Sequence, residues 1–259
     1  MSAVTWHDQL EAFFEDRAMR IPAKPTLEDL CFVAGRDPRQ WREQVFRDDL
    51  ASTIVTLMHA DKNSSVLEVG SAAGFLAMLI SPRVGRFTGV DLSNNALAVA
   101  RRLGILNAEF KAGNGKDLPF PDNHFDCAFC HHVFINFPSF AEGLPVIREM
   151  LRVVRPGGRV LIGDVPDRAK AGELPQHVVR VSRALEERFG PLPMHPPERE
   201  TAISSIVPAA VTYDFHRDEF IAAGETLRAR VEIFEVHPMN PYLGYRFNAT
   251  YACEGHEGS

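Results

Sequence analysis

The sequence predicts an α/β fold in which strands of a parallel sheet alternate with helices, and three stretches carry that expectation. Val66–Phe75 (VLEVGSAAGF) sets Val66, Leu67 and Val69 around one acid, Glu68, and continues through a run of small residues into the apolar stretch Phe75–Ile80. Such an apolar run suits a buried parallel strand, and residues without bulk let the backbone turn tightly and approach a ligand where the next helix begins. Arg86–Leu92 (RFTGVDL) repeats the pattern, a strand ending in Asp91 before the helical stretch Ser93–Arg102. Pro156, Gly157 and Gly158 then stop a helix over 138–154 ahead of a further apolar strand, Arg159–Asp164.

A chain of 259 residues can form one large domain, or one domain with a cap. Hydrophobic residues at 45% and charged residues at 24% are ordinary for a globular protein that buries a full core. The net charge of −6 argues against a nucleic-acid backbone as the main partner, because phosphate binding rests on Lys and Arg. The first twenty residues carry acids throughout and lack the apolar core of a signal peptide. No apolar run reaches the length of a membrane span, so a soluble, cytoplasmic protein is expected. Cys127, Cys130 and His131 spell CAFCH, the form of a haem attachment site. They fall in a strand-like run, where positions three apart face opposite sides of a sheet. They are therefore read as core cysteines, with no metal site expected.

Residues 1–63 read as helical. Trp6, Leu10, Phe13 and Phe14 recur at near-helical spacing over Trp6–Arg20, and Pro22 and Pro25 end that run. Asp37–Pro38 opens a second helical stretch, Arg39–Met58. It either packs over the sheet edge or closes as a lid through Trp41, Arg42 and Phe46. Asn107–Ala112 is a third strand and FDCAFCHHVF (125–134) a fourth. Arg148, Arg152 and Arg155 share one face of the following helix, expected to be solvated. Gly172–Phe189 reads as a helix, Gly190–Pro208 as a Pro-rich loop, and Phe215–Gly224 as a short helix. Arg228–Val236 and Tyr245–Cys253 alternate as two final strands, with Asn240-Pro241-Tyr242 in their joint read as turn chemistry.

Asp91 stands 23 positions after Glu68, at the end of the next strand. An acid at that offset from a small-residue turn can accept hydrogen bonds from both hydroxyls of a ribose. His131 and His132 end the fourth strand, and imidazole is the natural general base near neutral pH. Neighbouring side chains at a strand end diverge, so one imidazole is expected in a pocket. The alternative is an imidazole hydrogen-bonded at the sheet edge.

Three motifs together carry a family resemblance. Residues 68–74 read E-x-G-x-x-x-G, with Ala72 where a central Gly would stand. Residues 113–126 read GNGKDLPFPDNHFD, of which Leu118–Phe120, Asp122, Phe125 and Asp126 match a family stretch position for position. Residues 152–165 read RVVRPGGRVLIGDV. The chain resembles the class I S-adenosylmethionine-dependent methyltransferases. The resemblance implies a Rossmann-like, seven-stranded, mostly parallel sheet with an antiparallel last strand and helices on both faces. Residues 1–63 would be a helical N-terminal cap and 64–259 the S-adenosylmethionine-binding domain, with a variable cap insertion at 190–215.

By the same resemblance, Glu68, Gly70, Ser71, Ala72 and Gly74 would position the methionine part of the cofactor. Asp91 and Leu92 would take the ribose, Asn114 and Gly115 the adenine. Cys130 would lie beneath the methyl group, and His132 or His131 would act as base toward a small-molecule or sugar-like acceptor, favoured at oxygen. Two departures stand out, Ala72 for Gly and Asn114 for the usual Asp. An Asn can still offer its carbonyl oxygen to the adenine amino group. Two other readings stay open here: a methyltransferase-like binding or scaffold protein without turnover, and an NAD(P)-dependent oxidoreductase. The oligomeric state is open as well.

Overall fold

The structure is a computed structural model and describes residues 6–192 and 213–253. The N-terminal part folds as α1 (Trp6–Met19), α2 (Leu27–Val33) and α3 (Gln44–Met58), with a 3₁₀ turn at Pro38–Trp41. The sequence reading missed α2. Its start is a capping box, Thr26 Oγ1 accepting from Asp29 N at 3.2 Å while Asp29 Oδ2 accepts from Thr26 N at 2.8 Å. The expected helix Arg39–Met58 is broken because Trp41 turns inward, where it is 3% exposed and meets the Phe75 ring at 5.3 Å. Arg47 bridges the break by donating to the carbonyls of Trp41 and Arg42.

The remainder follows the alternation of strand and helix. In chain order it comprises β1 (Ser65–Val69), α4 (Phe75–Ile80), β2 (Arg86–Asp91), α5 (Asn94–Arg101), β3 (Ala108–Ala112), β4 (Phe125–His131), α6 (Phe140–Val153), β5 (Val154–Pro166), α7 (Leu174–Phe189), α8 (Arg217–Leu227), β6 (Ala229–Glu235) and β7 (Arg246–Cys253). The sheet order is β3-β2-β1-β4-β5-β7-β6. β1 to β5 pair in parallel, and β7 runs antiparallel to both β5 and β6. The order reverses between β1 and β4, so a crevice opens beyond the carboxyl ends of those strands.

Two cores sandwich the sheet. One gathers Leu50, Ile54, Phe75, Phe87 and Phe129 with α2 to α5; the other gathers Phe125, Phe134, Ile147, Phe220 and Phe247 with α6 and α8. Cys127 belongs to the first and Cys130 to the second, as strand alternation requires, and both are free thiols. Ser93 caps α5 by accepting from Ala96 N at 3.0 Å.

Arg152 is only partly solvated, because its guanidinium is engaged. Its guanidinium donates to Leu118 O at 3.0 Å, Phe120 O at 2.8 Å and Asp122 at 2.8 Å, clamping the loop that follows β3. No described helix is long and apolar enough to cross a membrane. Most of the 190–215 insertion lies outside the described residues.

Candidate functional site

A cavity of about 410 Å³ opens at the switch point. Its floor is Glu68 and the 70–72 turn, its far wall Asp91, Leu92 and Gly113–Lys116, and its near wall His131–Val133. α1 roofs it with Trp6, Phe13 and Phe14, and Ala34–Arg36 close one side. The roof therefore comes from α1 and the α2 exit rather than from Trp41, Arg42 and Phe46, none of which borders this cavity.

The turn is shaped by conformation more than by open donors. Gly70 has φ 82°, and a Cβ there would meet Val133 Cγ2 at 2.5 Å. Gly70 N and Ser71 N donate to Val90 O at 2.8 and 3.0 Å, and Ala72 N donates to Asp91 Oδ2 at 2.8 Å. Ala72 keeps the left-handed backbone of the Gly it replaces, at φ 43°. Gly74, at φ 84°, starts α4 against Ala100 and Leu103 and does not border the cavity.

Two buried acceptors on the floor lack partners among the described residues, Glu68 Oε2 and Ser71 Oγ. Glu68 is 2% exposed, and burial pushes its carboxyl up to about 8, with Arg36 opposing and Asp91 reinforcing. Burial also raises Asp91, while N–H groups of Ser93 and Ala72 hold its carboxylate in place. Each Asp91 oxygen accepts one backbone N–H and keeps lone pairs for a further donor. Asn114 Oδ1 accepts from Lys116 N at 2.9 Å, so one of its two lone pairs is used within the loop. An orphaned acid, a half-free acid and an amide around a small-residue turn fit a cationic amino acid joined to a nucleoside, which is the chemistry of S-adenosylmethionine. Glu68 would face the ammonium, Asp91 the ribose, and Asn114 with Gly115 the base.

Both imidazoles border this cavity, contrary to the expectation that only one would, and both also border a second cavity of about 330 Å³. Their roles differ. Arg36 Nη2 donates to His131 Nδ1 at 3.2 Å, which leaves the His131 proton on Nε2. His132 Nδ1 lies 2.6 Å from Asp164 Oδ2, and donation to that carboxylate leaves Nε2 as the acceptor.

Asp164 is 3% exposed and its Oδ2 also accepts from Arg246 Nη1 at 2.7 Å, with Asn240 Nδ2 at 3.3 Å from Oδ1. Burial alone would raise Asp164, but Arg246 and His132 hold it well below the carboxylate range. Burial lowers His132 to about 4, so the ring is neutral at pH 7. Asn240 also accepts from Tyr242 N at 2.8 Å, so Asn240-Pro241-Tyr242 is turn chemistry that also steadies Asp164. Cys130, by contrast, is fully buried on the α6 side of β4 and borders neither cavity.

Sequence reasoning missed Arg36, Asp164 and Arg246. Asp164 is aimed by a bulge: Ile162 pairs with Ala249 and Val165 with Phe247, so Gly163 and Asp164 together oppose Asn248. An acid ending an apolar strand was the available signal for Asp164. Nothing local marks Arg36 or Arg246.

Comparison with known proteins agrees with the fold. Residues 67–162 match the family described as "Methyltransferase domain". The uncharacterized methyltransferase YcgJ of Bacillus subtilis (strain 168) is 32% identical over 122 residues, 45% of this chain and 47% of the relative. The demethylmenaquinone methyltransferase of Listeria welshimeri is 31% identical over 128 residues, 47% and 49% of the two chains. The chain thus spans about half the length of the curated relatives it matches. A structure of geranyl diphosphate methyltransferase in complex with SAM aligns at TM-score 0.56 and 13% identity, over 83% of this chain and 89% of that one, a likeness of fold. Over residues 67–162 the chain matches a methyltransferase domain, and it shares the fold of S-adenosylmethionine-dependent methyltransferases.

Proposed function

We propose that this protein transfers a methyl group from S-adenosylmethionine to a hydroxyl of a small-molecule acceptor, with His132 as general base. The observation that carries the reading is the 2.6 Å contact from His132 Nδ1 to Asp164 beside the cofactor cavity. When bound, the cofactor supplies an activated methyl on a sulfonium. The protein aligns donor and acceptor and removes a proton. His132 Nε2 accepts the acceptor's hydroxyl proton as the oxygen becomes nucleophilic. Asp164 stabilises the resulting imidazolium, and Arg246 keeps Asp164 ionised. His131, with its Nδ1 engaged by Arg36, is the weaker candidate for the base. Glu68, Asp91 and Asn114 hold the cofactor in this reading.

Calorimetric titration with S-adenosylmethionine and S-adenosylhomocysteine, wild type beside Asp91→Ala, tests the cofactor half. Micromolar binding lost in the variant is expected; a well-folded wild type that binds neither compound would sink the proposal.

A further inference from the structure

The second cavity lies across the His131–His132 wall from the first and shares Gly35, Arg36 and Ile135 with it. Three guanidiniums line it, those of Arg36, Arg39 and Arg246, against two carboxylates, Asp37 and Asp164. Arg39 is spent on Asp37, with Nε and Nη2 at 3.1 and 2.7 Å from its two oxygens. Arg246 is spent on Asp164 through Nη1, although its buried Nε has no partner. Arg36 has no ion pair among the described residues; its Nη2 donates only to His131, on Nδ1 at 3.2 Å and the carbonyl at 3.5 Å.

One guanidinium is therefore left without a carboxylate partner in a partly enclosed space, over the Phe75 and Trp41 rings at 5.2 and 5.7 Å, and a charge so placed favours an anionic ligand. The opposite wall is α7, which buries none of its own residues and turns Val178, Val181 and Leu185 onto the cavity. A partly open space of about 330 Å³ admits a compact molecule such as a substituted aromatic ring.

We infer that this second cavity is the acceptor site, and that the acceptor is a hydroxy acid whose carboxylate is held by Arg36 and whose apolar body lies against α7. The inference rests on the methyl-transfer reading above and deepens it. A single unpaired guanidinium balances one carboxylate, and its planar fork matches that group with two parallel hydrogen bonds. A phosphate monoester would leave surplus negative charge beside Asp164. With the carboxylate at Arg36, a hydroxyl elsewhere on the same molecule comes within reach of His132, on the wall between the two cavities.

The test uses the full-length protein saturated with S-adenosylhomocysteine. It is titrated with a set of hydroxybenzoic, hydroxycinnamic and hydroxynaphthoic acids, their methyl esters, and hydroxyphenyl phosphate. At least one acid is expected to bind about 10- to 100-fold more tightly than its ester. Arg36→Met is expected to erase that preference, Arg36→Lys to restore part of it, and both variants to keep wild-type affinity for S-adenosylhomocysteine. Esters that bind as well as acids, a preference for the phosphate, or the absence of binding by every acid would overturn the inference while the methyltransferase reading stands. Loss of S-adenosylhomocysteine affinity in Arg36→Met would overturn it too, by assigning the guanidinium to the cofactor's own carboxylate. Failure of the wild type to bind S-adenosylhomocysteine would instead remove the reading on which it rests.

Discussion

His132 and Asp164 meet at 2.6 Å, and both stand on left-handed backbone, at φ 67° and 60°. Non-glycine residues enter that region at about 1–3 kcal/mol each, and such strain gathers where geometry serves function. The bulge in β5 and the turn after β4 hold the pair in register. Asp164→Asn preserves shape but offers an amide that can donate to Nδ1, which moves the ring proton to Nε2 and removes the base. The turnover rate is expected to fall about 10²- to 10⁴-fold in Asp164→Asn and in His132→Ala, with cofactor affinity retained. The double variant is expected to lose little more than either single one, because the two act as a unit. Single-turnover formation of S-adenosylhomocysteine measures this, and losses that multiply would rule out a coupled pair.

The same ring sets a pH dependence. In the folded protein His132 titrates at about 4 against an ordinary value of 6.5, because burial disfavours the imidazolium. The unfolded chain therefore binds the proton first. The stability contributed by the neutral buried ring is complete above pH 6.5 and is lost as pH falls toward 4, amounting to about 3 kcal/mol at most. Denaturant melts of His132→Gln between pH 7 and 4 are expected to lose less stability than the wild type over that window. Activity should rise through about pH 4 and stay level through 6.5. An activity midpoint near 6.5 would show an ordinary solvated histidine instead.

The strands, the crossover helices and the acids Glu68 and Asp91 were legible in the sequence because each is written locally: β-branched runs, small-residue turns, a Ser93 cap. Asp164 was visible only as a strand end. Its direction depends on a bulge, which exists because β5 and β7 are out of step by one residue. Arg36 and Arg246 are 95 and 114 positions from the imidazoles they approach, and no spacing rule joins them. Cys130 was misplaced by one step of strand alternation: His131 faces the cavities, so its neighbour must face the core. The stretch 39–58 was open between a packing helix and a lid because amphipathic character does not separate the two, and Trp41 satisfies that character by packing inward on Phe75.

Ala72 occupies a backbone position that favours glycine, at φ 43°. A left-handed alanine costs about 1–2 kcal/mol, part of which glycine returns through its freer unfolded chain. Ala72→Gly is expected to raise the melting temperature by about 2–4 °C for a chain of this size. It also removes a methyl from the cavity wall, so affinity for S-adenosylhomocysteine should hold or rise. Calorimetric melts with and without ligand check both. A lower melting temperature would show that the Ala72 methyl makes packing contacts worth more than the strain.

Glu68 sets binding against stability. Its carboxyl, normally near 4.5, is raised to about 8 by burial, and Oε2 has no partner. The folded state therefore prefers the protonated acid. That preference is fully stabilising below pH 4.5 and is withdrawn as pH rises through 8, where the buried carboxylate must ionise. Glu68→Gln has nearly the same shape and cannot ionise. It is expected to melt like the wild type near pH 5 and several degrees higher at pH 9, the gap widening as pH climbs. The same substitution removes the acceptor proposed for the cofactor's ammonium, a charge-assisted hydrogen bond, and should weaken S-adenosylmethionine binding by about tenfold or more at pH 9. The two effects must appear together if the acid is kept for its ligand. A variant that gained stability and bound the cofactor as well as wild type would leave the buried carboxylate without a function. A variant that lost both would make Glu68 a structural support of β1.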